Sequence, residues 1–241
     1  GINALPTVAE TLDVKPGHYV VEVRLIYMGN LARLSRAAVS VFEPVSFEGC
    51  RTMQVVKPSE ALAKSLDALG APWSAWSADA APELIVVPAL GEFFGDYPKD
   101  VLEAVLAQAA AGAEALFCEL PKLRNGEPDI SLGEHTFRVR WSEGSFLGGF
   151  HWVGDDALFD GLPRGCLMND FYRDIYPCSS AYGLGERPVA GTVMTFGTKF
   201  GADLIRLPHG AGRLTLCQLR VLGNLEADAA AAVLLRNLSR S

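Results

Sequence analysis

Among five cysteines and four histidines, one thiol stands where chemistry could be done. Cys118 closes the run Ala-Glu-Ala-Leu-Phe-Cys-Glu-Leu-Pro at 113–121. It falls at the end of an apolar segment that reads as a buried strand, the place where an α/β hydrolytic fold holds a nucleophile. A thiol in that role needs a base and an acid nearby. Glu119 is adjacent, and His151, in Gly-Gly-Phe-His-Trp-Val, or His209, in Leu-Pro-His-Gly-Ala-Gly-Arg, would have to approach it in space. The immediate neighbours favour a packing role instead. A sharp strand-to-helix elbow needs small residues, and Phe117, Glu119 and Leu120 are not small. Pro121 follows, so no helix N-terminus is available to stabilise a thiolate. A free buried cysteine behaves as a small apolar residue, and a structural role is the favoured reading of His151 too.

A second set of residues suits sugar recognition, in which aromatic faces stack on C–H groups and carboxylates take hydroxyls. Asp170 and Tyr172 lie in the run Asn-Asp-Phe-Tyr-Arg-Asp-Ile-Tyr-Pro at 169–177; Trp152 follows His151, and Glu92 adds a carboxylate beside the Ala89-Leu90-Gly91 loop. Paired acids there could also serve glycosidic acid–base work. The competing reading is an ordered loop packing its aromatics on a sheet. No His-x-His, His-Glu-x-x-His or paired Cys-x-x-Cys spacing occurs, so no metal site is expected. No Gly-x-Gly-x-x-Gly or phosphate-binding loop occurs either, and no cofactor is expected. His-Gly-Ala-Gly-Arg at 209–213 lies between two strand-like runs and reads as a hairpin turn.

The bulk properties narrow the classes. The chain has 241 residues, 49% of them hydrophobic and 20% charged, ample for a folded core. A net charge of −7 disfavours a nucleic-acid partner. No run of about 18 uninterrupted apolar residues is present, so no membrane span is expected. The odd, unpaired cysteines read as free thiols, which leans towards a cytoplasmic setting. The chain begins with Gly1 and has no basic, apolar leader, so it reads as a piece of a longer protein.

The elements that must position these groups follow from periodicity. Residues 17–27 alternate, with Tyr19, Val21, Val23, Leu25 and Tyr27 on one face, and read as a half-buried strand. Met28-Gly29-Asn30 turns the chain into a return strand at 38–42. Residues 51–57, 73–76, 84–87 and 115–120 read as strands, the third so continuously apolar that both its faces must be covered. Helices are expected from Pro58-Ser59-Glu60 to Gly70, over 99–111, and after an N-cap at Asp228. Residues 121–135 are turn-rich, 137–141 form a strand, 142–187 carry few regular signals, and strands resume at 189–196, 202–207 and 213–219. The rhythm is that of a doubly wound α/β sheet with an antiparallel edge.

The segment from Arg51 to Leu120, with Met53–Val56, Leu84–Pro88 and Ala115–Glu119 as landmarks, resembles the first half of the class I glutamine amidotransferase-like fold. The run from Gly210 to Leu225, ending in Leu234-Leu235-Arg236-Asn237-Leu238, resembles the closing strand and helix of the version appended to bacterial glycoside hydrolases of the family 2 or β-galactosidase type. Leu158-Phe159-Asp160-Gly161-Leu162-Pro163 and Asp170-Phe171-Tyr172 are similar to the same group. Residues 1–46 resemble the end of the immunoglobulin-like sandwich that precedes it. The resemblance implies two parts: a β segment at 1–46, and at 47–241 a flavodoxin-like three-layer sandwich with a mostly parallel sheet. Active members carry Gly-x-Cys-x-Gly and a downstream His-x-Glu; this sequence has neither. The implied role is therefore non-catalytic, with packing, oligomerisation or sugar contact as its use. The implied partners are other domains of a parent chain, a second copy of the chain, or carbohydrate.

Overall fold

The structure is a computed structural model. It describes residues 13–124, 126, 128–141, 149–194 and 199–240. The expected turns at Asn125 and at Gly197-Thr198 lie outside the described residues. By its contacts the chain divides into two compact units, Gly1–Pro44 and Val45–Ser241.

The described part of the first unit is a hairpin of β1 (Gly17–Tyr27) and β2 (Asn30–Val41), paired from Gly17↔Val41 to Tyr27↔Asn30. Its two-residue turn has Met28 and Gly29 at φ of 48° and 78°. Two consecutive positive φ values match the right-handed twist of the flanking strands. Glu22 sits opposite Arg36 and accepts from the Nε of both Arg24 and Arg36. Strand β2 is longer than the sequence suggests, and among the described side chains neither face of β1 is buried. Tyr19, Val21, Val23 and Leu25, on the face expected to be half-buried, are exposed, as are Val20 and Ile26 on the other.

The second unit is built on one twelve-stranded mixed sheet. Its first half follows the expected rhythm: β3 (Met53–Val55), α1 (Glu60–Ala68), β4 (Trp73–Ala75), β5 (Leu84–Val87), α2 (Lys99–Ala110) and β6 (Glu114–Cys118). Helix α1 starts where Ser59 accepts the Leu62 N–H and buries Leu62 and Leu66. Then come β7 (Ile130–Leu132), β8 (His135–Trp141), β9 (Gly149–Val153), β10 (Cys166–Leu167), β11 (Ser179–Tyr182), β12 (Ala190–Met194), β13 (Lys199–His209), β14 (Gly212–Cys217) and α3 (Ala229–Arg240). Asp228 caps α3 through the Ala230 N–H, as its sequence implies.

Along the sheet the order is β10-β9-β12-β13-β14-β6-β5-β3-β4. Strands β14, β6, β5, β3 and β4 are parallel neighbours. The rest pair antiparallel, with β11 joining β13 to β8 and β8 pairing β7. The fold is therefore α/β, and its antiparallel part is larger than an edge. Strand β14 lies at the seam between the two halves, parallel to β6 and antiparallel to β13.

Two buried polar clusters hold these halves in register. At the amino ends of the parallel strands, Glu114 Oε2 accepts from Arg51 Nη2 at 2.8 Å and Arg213 Nη2 at 2.6 Å, and Oε1 accepts from Thr215. Burial works against its charge, but these donors hold the carboxyl below its ordinary value. The β13–β14 turn packs tightly on the end of α2, for a Cβ at Gly212 would lie 2.1 Å from the Ala113 carbonyl oxygen. In the antiparallel half, Asp203 of β13 is fully buried. Its Oδ2 lies 2.7 Å from His151 Nδ1 on β9, and its Oδ1 accepts from Ser180 Oγ on β11. Truncating one member strands the others in the core, so Asp203→Ala is expected to lower unfolding stability by about 3 kcal/mol. Urea denaturation measures this; a loss within error of zero would show the cluster to be energetically idle.

Candidate functional site

The carboxyl ends of β6 and β14 meet over a cavity of about 370 Å³. Ligands of open α/β sheets bind outside the carboxyl ends of the strands, which makes this the end where a site is expected. Its polar lining comes from Glu92 after β5, Glu119 and Lys122 after β6, Ser179 at the start of β11, and Gln218 and Arg220 after β14.

Cys118 does not reach this cavity. It is 1% exposed and lies beside Cys217 in the parallel register. Burial, the neighbouring Cys217 and the Glu119 charge all push its thiol well above its ordinary value. Burial likewise pushes Cys217 up to about 12.

The histidines are elsewhere. His151 lies on β9, four strand spacings from β6 in the sheet, or roughly 19 Å at about 4.8 Å per strand. It is buried against Asp203 and edge-on to Tyr176, with ring centroids 4.5 Å apart. His209 is five residues beyond Leu204, which is level with Cys217 and Cys118; at about 3.3 Å per residue it lies at the opposite end of the sheet. Its Nδ1 is 2.7 Å from Glu134 Oε2. The suggested pairing of Cys118 with His151 or His209 is thus corrected: neither imidazole is within hydrogen-bond reach of the thiol.

Glu119 is the residue delivered to the cavity. Its φ is +54°, left-handed backbone that costs a residue with a Cβ about 1–2 kcal/mol. Its N–H donates to the Cys217 carbonyl at 2.7 Å, which fixes that conformation across the β6–β14 pair. Burial pushes its carboxyl up to about 7, while Arg220 pulls the other way. The Arg220 guanidinium is pinned, with Nε donating to the Tyr176 carbonyl at 2.9 Å and Nη2 to that of Arg173. Gln218 is 2% exposed. Its Nε2 donates to the Leu120 carbonyl at 3.3 Å and to Ser179 Oγ at 3.2 Å, which fixes the amide orientation because a carbonyl can only accept. Its Oε1 is then left without a donor among the described residues.

The residues suggested for sugar contact do not converge. Glu92 lines the cavity. Trp152 lies on β9 over Gly191, whose added Cβ would meet the indole at 3.0 Å. Asp170 is exposed and paired to Arg173 at 2.9 Å. Tyr172 is corrected outright as a surface contact: it is fully buried, and its hydroxyl donates to the Pro163 carbonyl. Gln218, Arg220 and Ser179 are not singled out by their sequence. The signal available is slight, two polar residues alternating in Cys-Gln-Leu-Arg directly after an apolar strand. Among the described residues, no group of three or more His, Cys, Asp or Glu could hold a metal ion, and no helix is long and apolar enough to cross a membrane.

No protein-family model matches the chain, and no curated protein matches it. Among solved structures, a cytoplasmic protein from Salmonella typhimurium is 9% identical with a TM-score of 0.45, over 92% of this chain and 95% of that one. A cold-adapted β-galactosidase from Rahnella sp. R3 is 14% identical with a TM-score of 0.43, over 79% of this chain and 31% of that one. A Thermoplasma acidophilum protein described as a GMP synthase subunit is 12% identical with a TM-score of 0.40, over 78% of this chain and 92% of that one. None of these likenesses transfers a functional residue to this chain.

The raised Glu119 carboxyl has a signed consequence. The folded chain holds this proton more tightly than the unfolded chain, whose value is near 4.5. Below that pH both states are protonated and the group is neutral to stability. Stability falls as pH rises from about 4.5 to about 7, then stays level. Glu119→Gln removes the burial cost of the charge, so it is expected to stabilise the protein at pH 8 by up to about 3 kcal/mol and by little at pH 4. Paired denaturation curves at the two pH values check this; an equal effect at both would contradict it.

Proposed function

We propose that this chain is a non-catalytic α/β module, an accessory domain working beside other domains of a carbohydrate-active enzyme. The observation that carries the non-catalytic reading is the burial of Cys118 out of reach of His151 and His209. A cysteine hydrolase requires a thiolate that substrate can reach and a base that can take its proton, and neither condition is met by this geometry. The carbohydrate-active setting rests on the sequence likeness over 51–120, 158–163 and 210–238. The hairpin supports a role in contact with partners. A lone two-stranded unit is marginal in water, and the exposed Val20, Val23, Leu25 and Ile26 favour a covering surface from another domain or another copy.

Iodoacetamide labelling followed by peptide mapping tests the central point. Half-buried Cys50, Cys166 and Cys178 are expected to label first, and buried Cys118 and Cys217 only as fast as the fold opens. Turnover assays with glutamine and with chromogenic glycosides are expected to show nothing. Rapid labelling of Cys118, or ammonia release from glutamine that disappears in Cys118→Ser, would overturn the reading.

A further inference from the structure

We propose that the cavity at the ends of β6 and β14 is a binding site for a small polyhydroxylated molecule, held by Gln218, Glu119, Ser179 and Arg220. The proposal goes beyond the accessory role and stands or falls separately from it.

The first observation is the buried, unpartnered Gln218 Oε1 on a residue that lines the cavity. A buried acceptor without a donor costs about 1–3 kcal/mol; the atom is sealed from the cavity as it stands, so a ligand hydroxyl relieves that cost once the side chain turns to admit it. The second observation is the strained Glu119. Left-handed backbone at a residue with a Cβ persists only where the surroundings hold it, and it concentrates at binding and active sites. Here the clip to the Cys217 carbonyl holds it and places a carboxyl at the cavity instead of in water. The third is the fixed Arg220, whose Nε and Nη2 are spent on backbone carbonyls so that the guanidinium cannot swing away.

The ligand class follows from matching donors to acceptors. Gln218 Oε1 can only accept. Arg220 can only donate. Ser179 Oγ accepts from Gln218 Nε2, and its own hydrogen goes to no described residue. The Glu119 carboxyl accepts when charged and also donates when neutral. An ammonium ion only donates and leaves Arg220 and Ser179 unanswered. A fully deprotonated inorganic anion such as sulfate only accepts and leaves Gln218 Oε1 unanswered. Adjacent hydroxyls on one carbon chain both donate and accept, and satisfy all four groups. About 370 Å³ lies within the range of small-molecule sites. No aromatic side chain lines the cavity among the described residues, so stacking adds nothing and affinity is expected in the millimolar range.

The test is a titration of the whole chain with myo-inositol and with D-glucose, followed by backbone-amide NMR. The expected result is saturable shifts in residues 119–122, 179 and 218–220. Gln218→Met, which keeps length and removes the acceptor, is expected to weaken binding by about fivefold or more. Glu119→Gln, folded by the same spectra, is expected to remove the dependence of affinity on pH between 6 and 8. Trp152→Ala is expected to leave affinity unchanged. The proposal is overturned if neither polyol produces saturable shifts at tens of millimolar. It is also overturned if the shifts map to β9 and vanish in Trp152→Ala, or if methylammonium or sulfate displaces the polyol from the cavity with higher affinity.

Discussion

The hydrogen bond from the Glu119 N–H to the Cys217 carbonyl organises the end of the sheet. Strand β6 is covered on both faces, and all five of its residues are buried. Its chain must leave the sheet immediately after Cys118, and it does so through one left-handed residue clipped to the neighbouring strand. That turn determines which side chain meets solvent. The thiol stays among apolar neighbours with its proton held firmly, and the next side chain, a carboxylate, is presented to the cavity. The backbone thereby withdraws the thiol from the cavity and leaves a carboxyl at its wall.

The antiparallel half supports the same cavity from its other side. Ser180, buried on Asp203, is next to Ser179 in β11, and Ser179 receives the Gln218 amide. Tyr176 packs edge-on to His151, while its carbonyl holds Arg220. The Asp203–His151–Ser180 cluster therefore positions one wall, and the Glu114 clamp with Arg51 and Arg213 ties together the opposite end of the parallel strands. Only the first of these clusters adjoins the cavity wall, through Ser180 and Tyr176, and neither lines it.

Much of the parallel half is legible in the sequence because its signals are local. Ser59 and Asp228 cap helices, Gly70 ends one, and the unbroken Leu-Ile-Val-Val run can only be a strand covered on both faces. Apart from β8, which its alternation marks at 137–141, the 130–182 region is not legible, for its other strands are short and its turns are 3-10 rather than α-helical. Tyr172 lies in a run that reads either as a sugar contact or as a loop packing its aromatics, and the fold takes the second course, with the Pro163 carbonyl as the partner that lets its hydroxyl enter the core. The site itself is half legible. Glu92 and Glu119 stand out as carboxylates, but Gln218, Ser179 and Arg220 join them only through the β14–β6 pairing, which links residues about a hundred positions apart. Long-range register of that kind leaves no periodic trace in the chain.

At the centre stands the Glu119 carboxyl, which the turn after β6 holds partly buried at the cavity wall. Carbon-13 NMR titration of the Glu119 side-chain carboxyl in the folded protein reads this burial directly. The structure predicts a midpoint near 7, displaced upward by burial. A midpoint at the ordinary glutamate value near 4.5 would contradict the burial of the Glu119 carboxyl at the end of β6.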